Sequence, residues 1–426
     1  MINQDSAMSH LTAPIEECFS SNPFARKCEI LTDQIWIEMG IRRVLGNYTS
    51  GRSFLQAQVA AGELPVWTSL YFEGLKSQRR LDHIRWMNNH LISDDEAWEN
   101  CQDPFSECPE LNDYVINIGD GHHHKAPVHE IKIDGKTYTT QHFYAQNARS
   151  GMIWPMTLAE YGDTRKKEHD MHALKRQDDK TLRANAKKGQ KSLWIWDSAC
   201  MCFPQWHLWK MKGIYFLTVE KDLNEFKVIH KQDVDYSDQI NAGVISDEKV
   251  ESATKGIILR RVKYRCPDTG KTYSFITNLN LKIRPGVIAF LYKCRWNIEK
   301  SYNTFKHKFG EKKAWAVSSE AKMTQALFIS LTYNLSLILN RKIDKESPSP
   351  ELSPNHTSKK KKRKRVRLLV DKAERLRRGI SSLLLRSIRL AEMPKKNLVW
   401  LNEVMKNHSP WKEAMKRLDI ICRMNQ

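Results

Sequence analysis

Between residues 30 and 110 the apolar positions recur at helical spacing: Ile35, Ile37, Met39, Ile41, Val44 and Leu45, then Leu55 and Val59 after the turn-like Asn47-Tyr48-Thr49-Ser50-Gly51. This pattern predicts a helical N-terminal domain over 1–110. From 111 the period changes to two, with short β-rich runs at Tyr114–Gly119, at Glu130–Ile133 before Asp134-Gly135, at Lys136–Ala145 and at Gly151–Met156. Asp-Gly and Ser-Gly punctuation between the runs predicts three antiparallel strands joined by hairpins.

A helical stretch from Glu168 to Arg176 follows, then the run Ser192–Trp196, a second helical stretch from Trp206 to Lys212, and the strand-like Ile214–Val219. Three strands, helix, strand, helix, strand is the order expected of an α/β fold with an RNase H-like mixed sheet flanked by helices. Residues 222–283 are again β-rich, with Gly256–Cys266 and Thr272–Asn278 flanking the turn Pro267-Asp268-Thr269-Gly270. They read as a β-rich insertion before a long helix from about Gly286 to His307; another helix covers Ala321–Leu339. The sheet-bearing domain therefore spans 111–342. Over 343–367 the composition turns to Ser, Pro and Asn and then to Lys359–Arg367, where eight of nine residues are basic, which predicts a disordered basic linker. Residues 368–426 look helical again, with Leu368, Leu369, Leu376 and Leu383–Leu385. There is no internal repeat.

Charge narrows the class of partner. Lys and Arg number 69 against 49 Asp and Glu, a formal net charge of +20 that favours a polyanion such as nucleic acid or an acidic membrane. The basic and aromatic segment Arg79–Trp86 suits either a DNA-facing helix or a solvated amphipathic one, and the solvated reading is favoured. Lys359–Arg367 suits DNA backbone contact and a solvated spacer equally. Nine cysteines, without the regular spacing of a disulfide framework, point to buried thiols in a reducing compartment; Cys200-x-Cys202 lacks the second pair of a zinc site. The first thirty residues carry no basic stretch followed by an apolar one, and no window holds 18 uninterrupted apolar residues, so a soluble cytoplasmic protein is expected, with no membrane partner.

The sharpest chemical signal lies on the long helix. Tyr292, Arg295, Glu299 and Lys306 fall within an arc of roughly 60° at about 100° per residue. Phe290, Leu291, Cys294, Ile298 and Phe305 take the other side, which leaves a carboxylate flanked by Arg, Lys and Tyr on the polar face. On spacing alone this could be an ordinary ion-pair ladder. The other carboxylates decide. Asp197 prolongs the face of Leu193 and Ile195, and Asp120 prolongs that of Ile116 and Ile118, so each places a charge at the end of an otherwise buried strand face, where pairing or metal binding is called for. Two Asp and one Glu supply the oxygen ligands that a pair of hard divalent cations needs for phosphodiester displacement.

With these residues in place, the chain resembles the insertion sequence 4 family of bacterial DDE transposases. The resemblance lies in Tyr292-x2-Arg295-x3-Glu299-x6-Lys306, which fits the family's Tyr-Arg-Glu-Lys signature, with support from Asp120-Gly121, Asp197, Thr277-Asn278 and Arg295-Trp296-Asn297-Ile298-Glu299. It covers roughly 111–340, and more faintly Ser50-Gly51-Arg52. It implies that Asp120, Asp197 and Glu299 are the catalytic, metal-binding triad of an RNase H-like domain, holding two Mg2+ ions with Mn2+ as substitute. By the same resemblance, 222–283 separates the second Asp from the Glu, and Tyr292, Arg295 and Lys306 contact phosphates of the transposon end. The implied reaction is cleavage of double-stranded DNA at terminal inverted repeats and strand transfer into target DNA by a homodimer associated with the bacterial nucleoid. The helical 1–110 would serve DNA binding or dimer contacts.

Several readings stay open. Trp296 could stack on a displaced base, although packing is favoured. His122, His123 and His124 tempt as zinc ligands, but three consecutive residues converge poorly on one ion, and a solvated or phosphate-facing loop is favoured. Asp163 and Asp170 rival Asp120 as the first aspartate; Asp170 stands close before Asp197 in a helical context. The alternatives to transposition are a catalytically inactive transposase-derived DNA-binding protein and a structure-selective nuclease on the same fold.

Overall fold

In the computed structural model the described residues are 6–46, 48, 50–62, 68–93, 103–130, 132, 135, 137–159, 168, 170–221, 225–253, 256–267, 269–346, 381–395, 397–407 and 409–424. Nine strands form one sheet: β1 (Tyr114–His124), β2 (Thr140–Asn147), β3 (Ile153–Leu158), β4 (Lys191–Trp196), β5 (Ile214–Val219), β6 (Phe226–Gln232), β7 (Val244–Ser252), β8 (Ile258–Arg265) and β9 (Thr272–Thr277). The spatial order is β3-β2-β1-β4-β5-β9-β8-β7-β6. β1 is antiparallel to β2, and β2 to β3, whereas β1, β4 and β5 run parallel. Each parallel neighbour is reached through helices, α7 (Asp170–Lys175) and α8 (Asp179–Leu182) before β4 and α9 (Phe203–Lys210) before β5, because a parallel pair needs a crossover.

The β-rich stretch 222–283 is continuous with this sheet. β9 pairs antiparallel with β5, and β8, β7 and β6 follow as antiparallel neighbours. A buried bidentate pair, Arg260 to Asp247 at 2.8 and 2.7 Å, links β8 to β7. The run Glu130–Ile133 lies partly outside the described residues, which do not place a strand there, and β1 reaches His124 before the chain turns toward β2.

Period-two alternation divides the sheet's side chains between two cores. Ile116, Ile118, Tyr144, Leu193, Ile195 and Leu217 join one with the long helices; Phe143, Ala145, Trp194, Trp196 and Phe216 join the other with Met171, Leu174, Leu182, Trp206 and Trp209 of α7, α8 and α9. In the second core the Trp206 and Phe216 rings stack at 3.6 Å. Full burial of such a side chain contributes about 1.5–3 kcal/mol.

The N-terminal helices are α1 (Ala7–Thr12), α2 (Cys18–Ser21), α3 (Asp33–Leu45), α4 (Gly51–Ala60), α5 (Thr68–Lys76) and α6 (Gln78–Ser93). Thr32 caps α3 by accepting from the Ile35 N–H, and Ser50 with Ser53 forms a reciprocal cap on α4. The segment Arg79–Trp86 lies in α6 and is neither fully solvated nor wholly available to DNA. Arg79 grips Asp33 through two 2.7 Å bonds, and buried Arg80 donates to the Leu31 carbonyl, which spends these cations on tying α6 to α3.

The predicted helix Gly286–His307 is two helices, α10 (Pro285–Cys294) and α11 (Trp296–His307), parted at Arg295. Arg295 keeps right-handed helical torsions (φ −51°, ψ −36°), but its N–H bonds the Tyr292 carbonyl three residues back, so the turn tightens there without reversing. After α11 comes α12 (Ser319–Glu346), which packs on β3, α3, α5 and α6. Gly40 permits its close approach to α3, since a Cβ there would stand 2.0 Å from the Phe328 ring. The chain closes with α13 (Ser381–Glu392), α14 (Leu398–Lys406) and α15 (Trp411–Met424). Lys359–Arg367, Leu368, Leu369 and Leu376 lie outside the described residues. The seven cysteines whose side chains are described are all free thiols, five of them buried. No helix among the described residues is long and apolar enough to cross a membrane.

Candidate active site

Parallel pairing sets two of the carboxylates side by side. Ile116 pairs with Leu193, Ile118 with Ile195 and Gly119 with Trp196, so Asp120 and Asp197 occupy the next position along adjacent strands. Both continue the sheet face that packs against α11. Asp197 ends its strand, as the pattern predicts, and caps the turn beyond by accepting from the Ala199 N–H at 2.7 Å and from the Ser198 hydroxyl. Asp120 differs: it lies within β1, which continues four residues past it because His122 and His124 find buried partners.

Glu299, on the first turn of α11, is the third carboxylate at this face. Tyr302 fixes the helix there by donating its hydroxyl to the Asp120 carbonyl at 2.8 Å, while Gln146 of β2 donates to Ser301 at 3.0 Å. Arg295 stands between the acids, with one nitrogen 3.2 Å from Asp120 Oδ2 and another 2.8 Å from Glu299 Oε1. Its side chain is 8% exposed. The arginine expected on a phosphate-facing surface therefore points inward, because three acids on one face require a counter-charge. Its guanidinium also spaces the acids. The oxygens of Asp120, Asp197 and Glu299 do not gather within the 4.8 Å of a tight ligand cluster.

Burial pushes the Asp120 carboxyl up to about 7, against the pull of Arg295 and the Gly121 N–H; the negative fields of Asp197 and Glu299 raise it further. Burial likewise raises the phenol of Tyr292, which Arg295 opposes. Tyr292 packs against Phe275 at 5.1 Å and lies under Arg295. Trp296 is 56% exposed with Arg295 over its ring at 5.2 Å, so it is not sequestered by packing. Lys306 is exposed near the far end of α11. The apolar face behind these groups, Phe290, Leu291, Cys294, Ile298 and Phe305, is buried as the spacing predicts.

Asp170, the rival of Asp120 that stands close before Asp197 in the chain, lies against the same strand. Gln141 donates to Asp170 Oδ1 at 2.6 Å, and a Cβ on Gly121 would meet Gln141 Nε2 at 2.9 Å and Asp170 Oδ1 at 3.0 Å. Asp163 lies outside the described residues. His122 and His124 are not in a solvated loop. Alternation along β1 turns both inward and leaves His123 exposed, and the buried Glu311 beyond α11 meets them, at 2.7 Å from His122 and 3.5 Å from His124. Glu311 had no motif to mark it in the sequence; only the strand continuation through His124 could have suggested that an acid must be found. Cys200 and Cys202 enter no ligand cluster among the described residues.

The carboxylate site presents the donor type that a divalent cation takes, three hard oxygen-bearing side chains on three elements, but with their oxygens farther apart than in a closed ligand cluster. No protein-family model matches the chain, and no curated protein matches it either.

Proposed function

We propose that this chain is an insertion-sequence transposase that cuts double-stranded DNA at terminal inverted repeats and joins the freed ends to target DNA. The observation that carries the reading is the parallel register of β1 and β4, which ends at Gly119 opposite Trp196 and so leaves Asp120 and Asp197 at the next position of each chain, on the face that α11 covers with Glu299. The order β3-β2-β1-β4-β5, antiparallel across the first three strands and parallel across β1, β4 and β5, supports an RNase H-like catalytic domain, with β6–β9 as the insertion before the Glu-bearing helix.

Two Mg2+ ions, or Mn2+ in their place, would supply Lewis-acid polarisation of the scissile phosphate and activation of the attacking oxygen. Asp120, Asp197 and Glu299 would hold them. In cleavage, water attacks phosphorus, the bond to the 3' oxygen breaks, and that oxygen leaves as a hydroxyl after taking a proton. In joining, the same hydroxyl attacks a target phosphodiester and releases another, so the bond count is conserved and no energy-rich cofactor is consumed. Arg295 steadies the acids before substrate arrives, its terminal nitrogens engaged by Asp120 and Glu299, and would turn its planar fork to a phosphate only once those acids turn to the metal ions; Tyr292 packs beneath it. Exposed Lys306 supplies a point charge to the DNA backbone, and exposed Trp296 a stacking face. The net charge of +20 favours the same partner, and the need to hold two ends together favours a homodimer.

One observation favours a second reading, a DNA-binding descendant without chemistry: Arg295 already satisfies Asp120 and Glu299. A structure-selective nuclease shares the acids but joins nothing. Strand transfer separates all three. Given pre-cut terminal-repeat DNA with a free 3' hydroxyl, a target plasmid and Mg2+, the transposase yields covalent joints; a nuclease yields only nicks, and the descendant neither.

A further inference from the structure

His122, His124 and Glu311 present one ligand atom each, all within 4.8 Å of one another, and all three residues are buried. We propose that they form a second metal site, for a Zn2+-class transition dication, that pins the end of β1 to the chain leaving α11. This site is separate from the oxygen-donor site at Asp120, Asp197 and Glu299 and does not depend on the function proposed for it.

The donor set points to the metal class. Two imidazoles with one carboxylate suit Zn2+ and its neighbours, whereas Mg2+ prefers oxygen. The spacing is right for it, because ligands about 2 Å from a tetrahedral ion stand about 3.3 Å from one another. The 2.7 Å bond between His122 Nε2 and Glu311 Oε2 and the 3.5 Å approach of His124 Nδ1 to Glu311 Oε1 bracket that value. Binding would replace the proton of the short bond with the ion.

A second observation is independent of the spacing. His122 Nδ1, both ring nitrogens of His124 and Glu311 Oε1 are buried and have no hydrogen-bond partner in the protein. So do both nitrogens of His142, whose ring stacks on His124 at 5.5 Å. Buried polar atoms in native proteins are nearly always satisfied, and such a concentration marks a place where an ion or water belongs. Burial holds His124 and His142 below the usual imidazole range, which keeps them in the neutral form that ligates. Lys306 and Lys322 oppose a cation from a distance, but Lys322 is itself paired with Glu130.

The site also has something to hold. The Lys125 N–H donates to the Lys312 carbonyl at 3.2 Å and the Ala314 N–H to the Lys125 carbonyl at 2.8 Å, so 311–314 already runs beside the end of β1. His122 packs on Tyr302 at 4.5 Å, the residue that binds the Asp120 carbonyl. An ion here would fix the distance between the strand carrying Asp120 and the helix carrying Glu299.

The test uses full-length protein stripped of metal, with Glu299→Gln to disable the carboxylate site. Dialysis against Zn2+ or Co2+ should leave one tightly held ion per chain, and Co2+ should show the visible bands of a four-coordinate site. His124→Gln or Glu311→Gln should weaken that binding by at least roughly 10- to 100-fold, the loss typical even of an outer ligand partner. No retained ion, or an ion held equally well by folded His124→Gln, would overturn the proposal. Should both variants fail to fold, X-ray absorption at the zinc edge of the loaded Glu299→Gln protein decides: a shell with two imidazoles supports the site, and one without imidazole overturns it.

Discussion

Replacing Asp120 by Asn should change how stability depends on pH more than it changes stability itself. The carboxyl is raised from its ordinary 3.8 to about 7, first by burial and then by the fields of Asp197 and Glu299. A carboxyl whose pKa rises on folding favours the folded chain while it is protonated. That contribution is complete below 3.8 and is lost as the pH climbs through about 7. Between about pH 5 and 7 the slope falls from about 1.4 kcal/mol per pH unit to half that at the folded pKa, so the wild type should lose about 2 kcal/mol relative to Asp120→Asn over the interval. Above it the difference should stay flat. Urea unfolding of both proteins in EDTA at several pH values between about 5 and 8.5 measures this, and titrating groups remote from Asp120 cancel in the difference. A difference that does not move with pH would refute the buried, acid-crowded environment assigned to Asp120. One that moves the opposite way would mean Arg295 dominates the site.

Removing Arg295 takes away the cation that opposes this rise, so Arg295→Ala should shift the acid limb of any pH–rate profile toward higher pH; a limb that stays in place would show that Asp120 does not set it. Gly40→Ala puts a methyl into the Phe328 ring and should cost about 1–3 kcal/mol by denaturant unfolding, with a neutral result refuting the close approach of α3 and α12. Trp206→Ala empties a stacked position in the second core and should cost about 3–5 kcal/mol; a loss below about 1 kcal/mol would mean that the core collapses around it.

Periodicity made the sheet legible where strands are buried on one or both faces. The face containing Ile116, Ile118, Leu193 and Ile195 could be read directly, and with it the two positions that Asp120 and Asp197 prolong. The run through His122 to His124 could not, because three histidines carry no strand signature and their burial depends on Glu311, far along the chain. The stripe on the long helix was legible as a face, but the tightening at Arg295 and its inward turn were not. Both follow from a tertiary need, the counter-charge for acids on other elements. Asp170 escaped for the same reason: its place beside Gly121 is set by contact across space with Gln141, not by spacing. The β-rich stretch before α10 was readable as strands, while its continuity with the main sheet rests on the pairing of β9 with β5, which no local pattern encodes.

The measurement that bears most directly on the central claim is cleavage of end-labelled DNA carrying the terminal repeats that flank the coding sequence, in Mg2+, by wild type beside Asp120→Ala, Asp197→Ala and Glu299→Gln. The account predicts 3' hydroxyl ends at the repeat boundary with the wild type alone, and unchanged DNA binding by Glu299→Gln. Cutting by Glu299→Gln at the wild-type rate, or tight binding by a wild type that never nicks, would contradict it.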